Sequence, residues 1–223
     1  MVIEKIEFSG NKKTKEYILL AELDFKPGDT ISLSEIDKRL EKNRLRLFNL
    51  QLFHWTKSEV ISCDNGLVTI RFSMQERWYL WPIPVFTLAD RNLSAWINKM
   101  DFNRIDYGLY LSQYNFRGRD ERLKVYIIHG FNRKYEINYV APRFRRAPNW
   151  GLQAVASLQQ SHFLDYTTKE SKPVNYRNDE EFPNQKRFLQ GGISYRKSVY
   201  KQNILLLSYN WQQVTDSVVK LNP

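Results

Sequence analysis

RIDYGLYLSQYNFRGRDERLKVYIIHGFNRKYEINYVAPRF, residues 104–144, is the stretch on which the fold turns. It reads as three β-strands with short breaks. Taken two apart, Leu123, Val125, Ile127, His129 and Phe131 share one face, and Lys124, Tyr126, Ile128 and Gly130 share the other. Tyr135, Ile137, Tyr139 and Ala141 likewise oppose Glu136, Asn138 and Val140. Side chains alternate across a strand, so one face of the predicted sheet is almost free of charge. That face meets either a protein core or lipid.

The pattern continues on both sides. Tyr107, Leu109 and Leu111 alternate with Gly108, Tyr110 and Ser112; further on, Leu152, Ala154, Ala156 and Leu158 form an apolar row. Leu189, Gly191, Ile193 and Tyr195 form another, as do Leu205, Leu207, Tyr209 and Trp211. A less regular strand is expected between residues 83 and 97, giving about seven strands. A soluble β-sandwich would alternate too. Three features favour lipid. The apolar rows carry no Lys, Arg, Asp or Glu, while the opposite rows mix polar, small and aromatic residues, as a barrel lumen does. Aromatic residues lie near strand ends (Trp78, Tyr79, Trp81, Phe131, Trp150, Tyr209, Trp211), where a membrane interface would hold them. The connections at 116–121, 145–149 and 199–202 are short and fall at one end, whereas 161–187 is long, polar and at the other. The residues expected to face lipid are Leu123, Val125, Ile127, Tyr135, Ile137, Tyr139, Leu205, Leu207 and Tyr209.

The chain has 223 residues, 42% hydrophobic and 26% charged, enough for a folded core and unlike a disordered chain. It has no apolar run long enough for a transmembrane helix, which leaves strands as the way across a bilayer. The first residues lead straight into a charged strand pattern and do not read as a signal peptide, so a cytosolic chain or one with its N-terminus removed is expected. A single cysteine, Cys63, offers neither an internal disulfide nor a cysteine-based zinc site. His54, His129 and His162 lack metal-ligand spacing and are expected in two strands and a solvated loop; no metal and no cofactor is expected. Phosphate-loop, nucleophile-elbow and zinc-protease motifs are missing, so no enzymatic activity is expected. The net charge of +10 is spread along the chain among acidic residues, which argues against nucleic acid as a partner.

Residues 1–76 read differently. A strand at 2–8 and a Gly10-Asn11 turn precede a helix that Thr14 is placed to cap, with Ile18 and Leu19 inward. After Lys26-Pro27-Gly28-Asp29, Ser32 and Glu35 have capping-box spacing for a second helix, with Leu33, Ile36, Leu40, Leu47 and Phe48 on one side. Strands at 54–61 and 67–74 flank Asp64-Asn65-Gly66, a hairpin signal; Val68, Ile70, Phe72 and Met74 line the buried face. The order is β-α-α-β-β, an α+β domain with two helices on one face of a three-stranded sheet.

The FSGNKKT turn, the KPGD break, the helix ending in Leu47-Phe48-Asn49-Leu50 and the hairpin running to Gln75-Glu76-Arg77 together resemble a POTRA domain. RWYLWPIPVFTLADRNLSAW followed by YGLYLSQYNFRGRDERLKV resembles the barrel start of BamA-like proteins in the Bacteroidetes version. The resemblance implies a POTRA domain at 1–76, then at 77–223 the N-terminal part of an antiparallel transmembrane β-barrel. The family's barrel has sixteen strands, so the chain is expected to be a fragment. The resemblance further implies a cell outer-membrane location with the POTRA domain in the periplasm, and insertion of β-barrel client proteins by β-augmentation. Unfolded client proteins, outer-membrane lipid or lipopolysaccharide and accessory lipoproteins are the implied partners. Two places would matter: the POTRA sheet edge at Glu59, Val60 and Ile61, and the gate strand at Phe86, Thr87, Leu88, Ala89, Asp90 and Arg91. A TamA-like factor or a two-partner-secretion translocator is the alternative within the resemblance. A soluble β-rich polyanion-binding protein is the alternative outside it.

Overall fold

The computed structural model describes residues 1–88, 104–169, 171–198 and 201–220. Its contacts divide the chain into two compact units. The first is built on β1 (Val2–Ser9), α1 (Glu16–Leu20), α2 (Ile36–Asn49), β2 (Phe53–Asp64) and β3 (Leu67–Glu76). The sheet order is β1-β3-β2, with β1 parallel and β2 antiparallel to β3. Alternation along β3 places Val68, Ile70, Phe72 and Met74 in the core with Ile3, Leu19, Phe25, Leu40 and Leu47. Asn65 and Gly66 both adopt positive φ (50° and 78°), the conformation a two-residue hairpin needs to match strand twist.

The β-α-α-β-β order is as expected, but both helix starts differ from the sequence reading. Neither α1 nor α2 has a side-chain cap. The Thr14 hydroxyl instead donates to Glu76 Oε1 at 2.6 Å, a charge-assisted bond, and its oxygen accepts from Asn115 Nδ2 at 2.8 Å in place of a helix amide. Ser32 and Glu35 form a turn before α2, with Ser32 Oγ against Ser34 Oγ at 2.9 Å. Leu33 lies in that turn and is exposed, outside the helical periodicity assumed for it.

The first unit also includes residues 114–122 and 141–150. Asn115 Nδ2 donates to Thr14 Oγ1 at 2.8 Å, and Lys15 N–H donates to the Gly118 carbonyl at 2.9 Å. Arg143 pairs with Glu22, both side chains almost wholly buried. Tyr79 is buried here as well, its hydroxyl donating to the Leu52 carbonyl at 3.0 Å. It is therefore a core residue, not the interface aromatic that its place before a strand suggests. Burial raises its phenol pKa above the usual value, against the opposing effect of hydrogen bonds with Thr14 and Asn115.

The second unit carries an open seven-stranded sheet, in the order β12-β11-β8-β7-β6-β5-β4. Its strands are β4 (Leu80–Leu88), β5 (Ile105–Phe116), β6 (Glu121–Gly130), β7 (Arg133–Ala141), β8 (Trp150–Ser161), β11 (Asn184–Ser198) and β12 (Lys201–Val214). Between β8 and β11, β9 (Phe163–Lys169) and β10 (Lys172–Arg177) form a separate hairpin. The stretch expected to be a polar loop is thus largely strand: aromatic and β-branched residues at Phe163, Tyr166, Thr167, Thr168 and Val174 suit strands despite polar neighbours. A short helix, α3 (Asp216–Val219), follows β12.

Connections at 117–120 and 142–149 lie at one end of the strands; the β9–β10 hairpin lies at the other. The two-residue β6–β7 connection, Phe131 and Asn132, breaks the expected length rule by being short at that second end. Phe131 is consequently a buried turn residue, not part of the outward row. His162 is buried too, its ring between Phe131 (4.5 Å) and Phe182 (4.3 Å), where a solvated loop position was expected. Its Nδ1 lies 2.6 Å from the Asn178 carbonyl and 2.8 Å from that of Glu181, so Nδ1 carries the proton and donates. This pins the segment after β10.

Candidate functional site

The first free edge belongs to β2, which among the described residues has a strand neighbour on one side, β3. Near its start the edge is engaged by α2: Thr56 Oγ1 donates to the Arg44 carbonyl at 3.2 Å, and Arg44 Nη1 reaches back to the Thr56 carbonyl at 3.4 Å. Beyond it, Glu59, Val60 and Ile61 are exposed as expected of an edge. The register adds a feature that periodicity alone did not reveal. Val60 pairs with Ile70 and Ser62 with Thr69, so Ile61 is an extra residue on the edge strand. Such a bulge interrupts the row of outward donors and acceptors and discourages indiscriminate pairing. Lys57 to Glu59, in regular register, offer the straighter edge.

The second edge is β4, which among the described residues pairs with β5 alone. Its ladder runs from Leu80 opposite Gln113 to Leu88 opposite Ile105. Phe86, Thr87 and Leu88 sit at the end of β4, with Phe86 75% exposed; Ala89, Asp90 and Arg91 lie outside the described residues. Two prolines govern this edge. Pro82 and Pro84 cannot donate, so the bonds to β5 run through the intervening residues Trp81, Ile83 and Val85. The outward edge therefore lacks N–H donors at 82 and 84, and the next outward N–H groups are those of Phe86 and Leu88. A Pro-x-Pro at the head of a strand is the sequence signal that could have located this.

The third element is the uncharged sheet face. Ile127, Ile137, Leu205, Leu207 and Tyr209 are exposed, Leu207 to 82%, and Leu123, Val125, Tyr135 and Tyr139 are half-buried. Residues this apolar and this exposed are not packed in a core. Leu189 faces Tyr209, Gly191 faces Leu207 and Ile193 faces Leu205 across the β11–β12 ladder, so the expected rows do share one side. From Leu189 to Tyr195 the apolar part of the outward row spans six residue steps, roughly 20 Å of strand at ~3.3 Å per residue. That is of the same order as the ~25 Å apolar band of a transmembrane barrel.

The opposite face holds the polar and stacking groups. Tyr110 stacks on Tyr126 with ring centroids 4.2 Å apart, Lys134 lies over Tyr126, and Lys134 pairs with Glu136 at 3.0 Å. Gly108 lets β5 approach β6 there: a Cβ would sit 2.0 Å from the Ile127 carbonyl oxygen. Among the described residues, no cluster of His, Cys, Asp or Glu is arranged to hold a metal ion.

Comparison with known proteins accords with this geometry. Residues 1–77 match the POTRA family, described as a surface antigen variable number repeat. No curated protein sequence matches the chain. Among solved structures, BamA from Haemophilus ducreyi lacking POTRA domains 1–3 is similar over 95% of this chain and 36% of that one, with 16% identity and a TM-score of 0.60. CdiB from Acinetobacter baumannii is similar over 96% of this chain and 39% of its own, with 16% identity and a TM-score of 0.52. The chain thus spans little more than a third of the structures it matches, and what it shares with them is the fold.

Proposed function

We propose that this chain, a POTRA domain followed by strands with the fold of a BamA-like barrel, is part of an outer-membrane protein that inserts client β-barrel proteins into the membrane. The observation that carries this reading is the pairing, in one chain, of a POTRA sheet with a free β2 edge and a strand meander whose outward face is apolar and exposed. A client strand adding to an edge gains main-chain hydrogen bonds without needing a fixed sequence. On β2 the client strand starts at Lys57 to Glu59, ahead of the Ile61 bulge. On β4 it is restricted to the Phe86–Leu88 end, because Pro82 and Pro84 supply no donors. The POTRA domain lies in the periplasm, and client strands, outer-membrane lipid and accessory lipoproteins are the partners. The chemistry is non-covalent, and no cofactor or nucleic acid takes part.

The test is depletion of the full-length gene product, with extracted outer-membrane proteins run unheated and heated. General loss of heat-modifiable bands, with unfolded barrels accumulating in the periplasm, supports an insertase. Intact barrels with retention of one secreted protein point to the second reading, a two-partner-secretion translocator. A gene product that stays in the soluble fraction overturns both.

A further inference from the structure

The outward row of β11 does not end at Leu189. Because β11 starts at Asn184, Arg187 and Gln185 extend the same row beyond the apolar residues, and Arg187 faces Trp211 across the ladder. The guanidinium lies 4.6 Å from the centroid of the Trp211 ring. Arg187 is exposed, and among the described residues no carboxylate is paired with it. Gln160 on β8 reaches Gln185 at 3.4 Å, which closes a polar rim across the two neighbouring strands. Below this rim runs a groove of about 580 Å³ on the sheet surface, walled by Val125, Ile127, Ile137, Leu158 and Leu189 and ending at Gln160, Gln185 and Arg187. Glu136 also borders the groove, but its side chain belongs to the opposite row of β7, where its carboxylate is bound to Lys134.

We propose that this groove and rim bind one phosphorylated lipid of the outer leaflet, its phosphate on Arg187 and an acyl chain along the apolar walls. The site rests on the membrane reading above. Charge and position choose the occupant. An arginine seated over an indole keeps the N–H fork of its guanidinium for a planar anion contact, which suits a phosphate. The glutamine amides can donate to further phosphate or sugar oxygens. A cation at the edge of an apolar membrane face sits at headgroup depth, where tryptophan also gathers. The rim lies at the strand ends bearing the β9–β10 hairpin, opposite the end at which β4 starts, directly after the POTRA domain; with that domain periplasmic, the rim belongs to the external leaflet. A free phosphate would leave the apolar groove exposed to water, so the ligand is amphipathic.

The experiment uses the full-length protein reconstituted in phosphatidylcholine vesicles containing bisphosphorylated lipid A or its dephosphorylated form. Bound lipid is counted by native mass spectrometry after mild detergent release. Heat-modifiability of the same samples reports insertion. Wild type should retain lipid A, Arg187→Gln should lose roughly tenfold in retention, the scale of a charge-assisted hydrogen bond, and Arg187→Lys should lose less. Dephosphorylated lipid A should bind the wild type as weakly as lipid A binds R187Q. Inserted R187Q that retains lipid A fully, or wild type indifferent to the phosphates, would overturn the site alone. Wild type that inserts into no vesicle would overturn the membrane reading and the site with it.

Discussion

Glu76 holds Thr14 by two bonds to one oxygen: the Thr14 N–H and hydroxyl both donate to Glu76 Oε1 at 2.6 Å, across 62 residues of sequence. Lys13 N–H adds a bond to Oε2 at 3.0 Å, so the last residue of β3 closes the turn after β1. Thr14 is almost fully buried, and removing its acceptor leaves its N–H without a partner and its hydroxyl with the 3.4 Å contact to the Tyr79 hydroxyl. Glu76→Ala should therefore destabilise the first unit by about 2–3 kcal/mol. Glu76→Gln, which keeps one acceptor oxygen, should cost less. Proteolysis of residues 1–79 within the full protein, followed over a urea series, measures both.

A second polar cluster ties α2 to the preceding loop. Asn43 is fully buried; it donates from Nδ2 to Asp24 Oδ1 at 2.7 Å and accepts the Asp24 N–H through Oδ1 at 2.9 Å. Asn43→Ala should cost about 2–3 kcal/mol, since it leaves a backbone N–H and a carboxylate under-satisfied. Partial burial acts to raise the Asp24 pKa, but bonds from Asn43 and Lys42 and the charge of Arg39 outweigh it and hold the carboxyl below its usual value. A depressed folded pKa adds stability that is complete above the unfolded value, ~3.9. That stability is lost as pH falls on through the lower folded value. The wild type should weaken over this acid range, and Asp24→Asn should show a flatter profile in the same proteolysis assay.

Two glycines of the first unit separate close approach from backbone conformation. At Gly10 (φ 92°) a Cβ would stand 1.8 Å from the Met74 carbonyl oxygen, whereas at Gly28 (φ 93°) it would meet nothing within 4 Å. Gly28→Ala should cost about 1–2 kcal/mol, the left-handed penalty alone. Gly10→Ala adds a backbone clash and should cost well beyond that, with loss of protease resistance at residues 1–79 as the readout.

In the sheet, Gly108 and Gly191 make the corresponding pair. A side chain at Gly108 meets the Ile127 and Ile128 backbone, while Gly191 is open. Gly108→Val should abolish the heat-modifiable band of the full-length protein, and Gly191→Ala should leave it intact.

The alternation in residues 123–141 and 205–211 and the Asn65-Gly66 turn determined the strands, the uncharged row and the β-α-α-β-β order, because each depends on neighbours within a few residues. Tertiary structure decided the partners. Thr14 looked like a helix cap until Glu76 arrived from the far end of β3, and Tyr79 looked like an interface aromatic until the Leu52 carbonyl accepted its hydroxyl. Phe131 and His162 took buried places because the β6–β7 turn and the segment after β10 meet there. Arg187 joined an outward row only once β11 was known to begin at Asn184. Periodicity reports which side a residue faces, whereas hydrogen-bond and ion partners are chosen by strength among all groups that folding brings within about 3 Å, and those are distant in sequence.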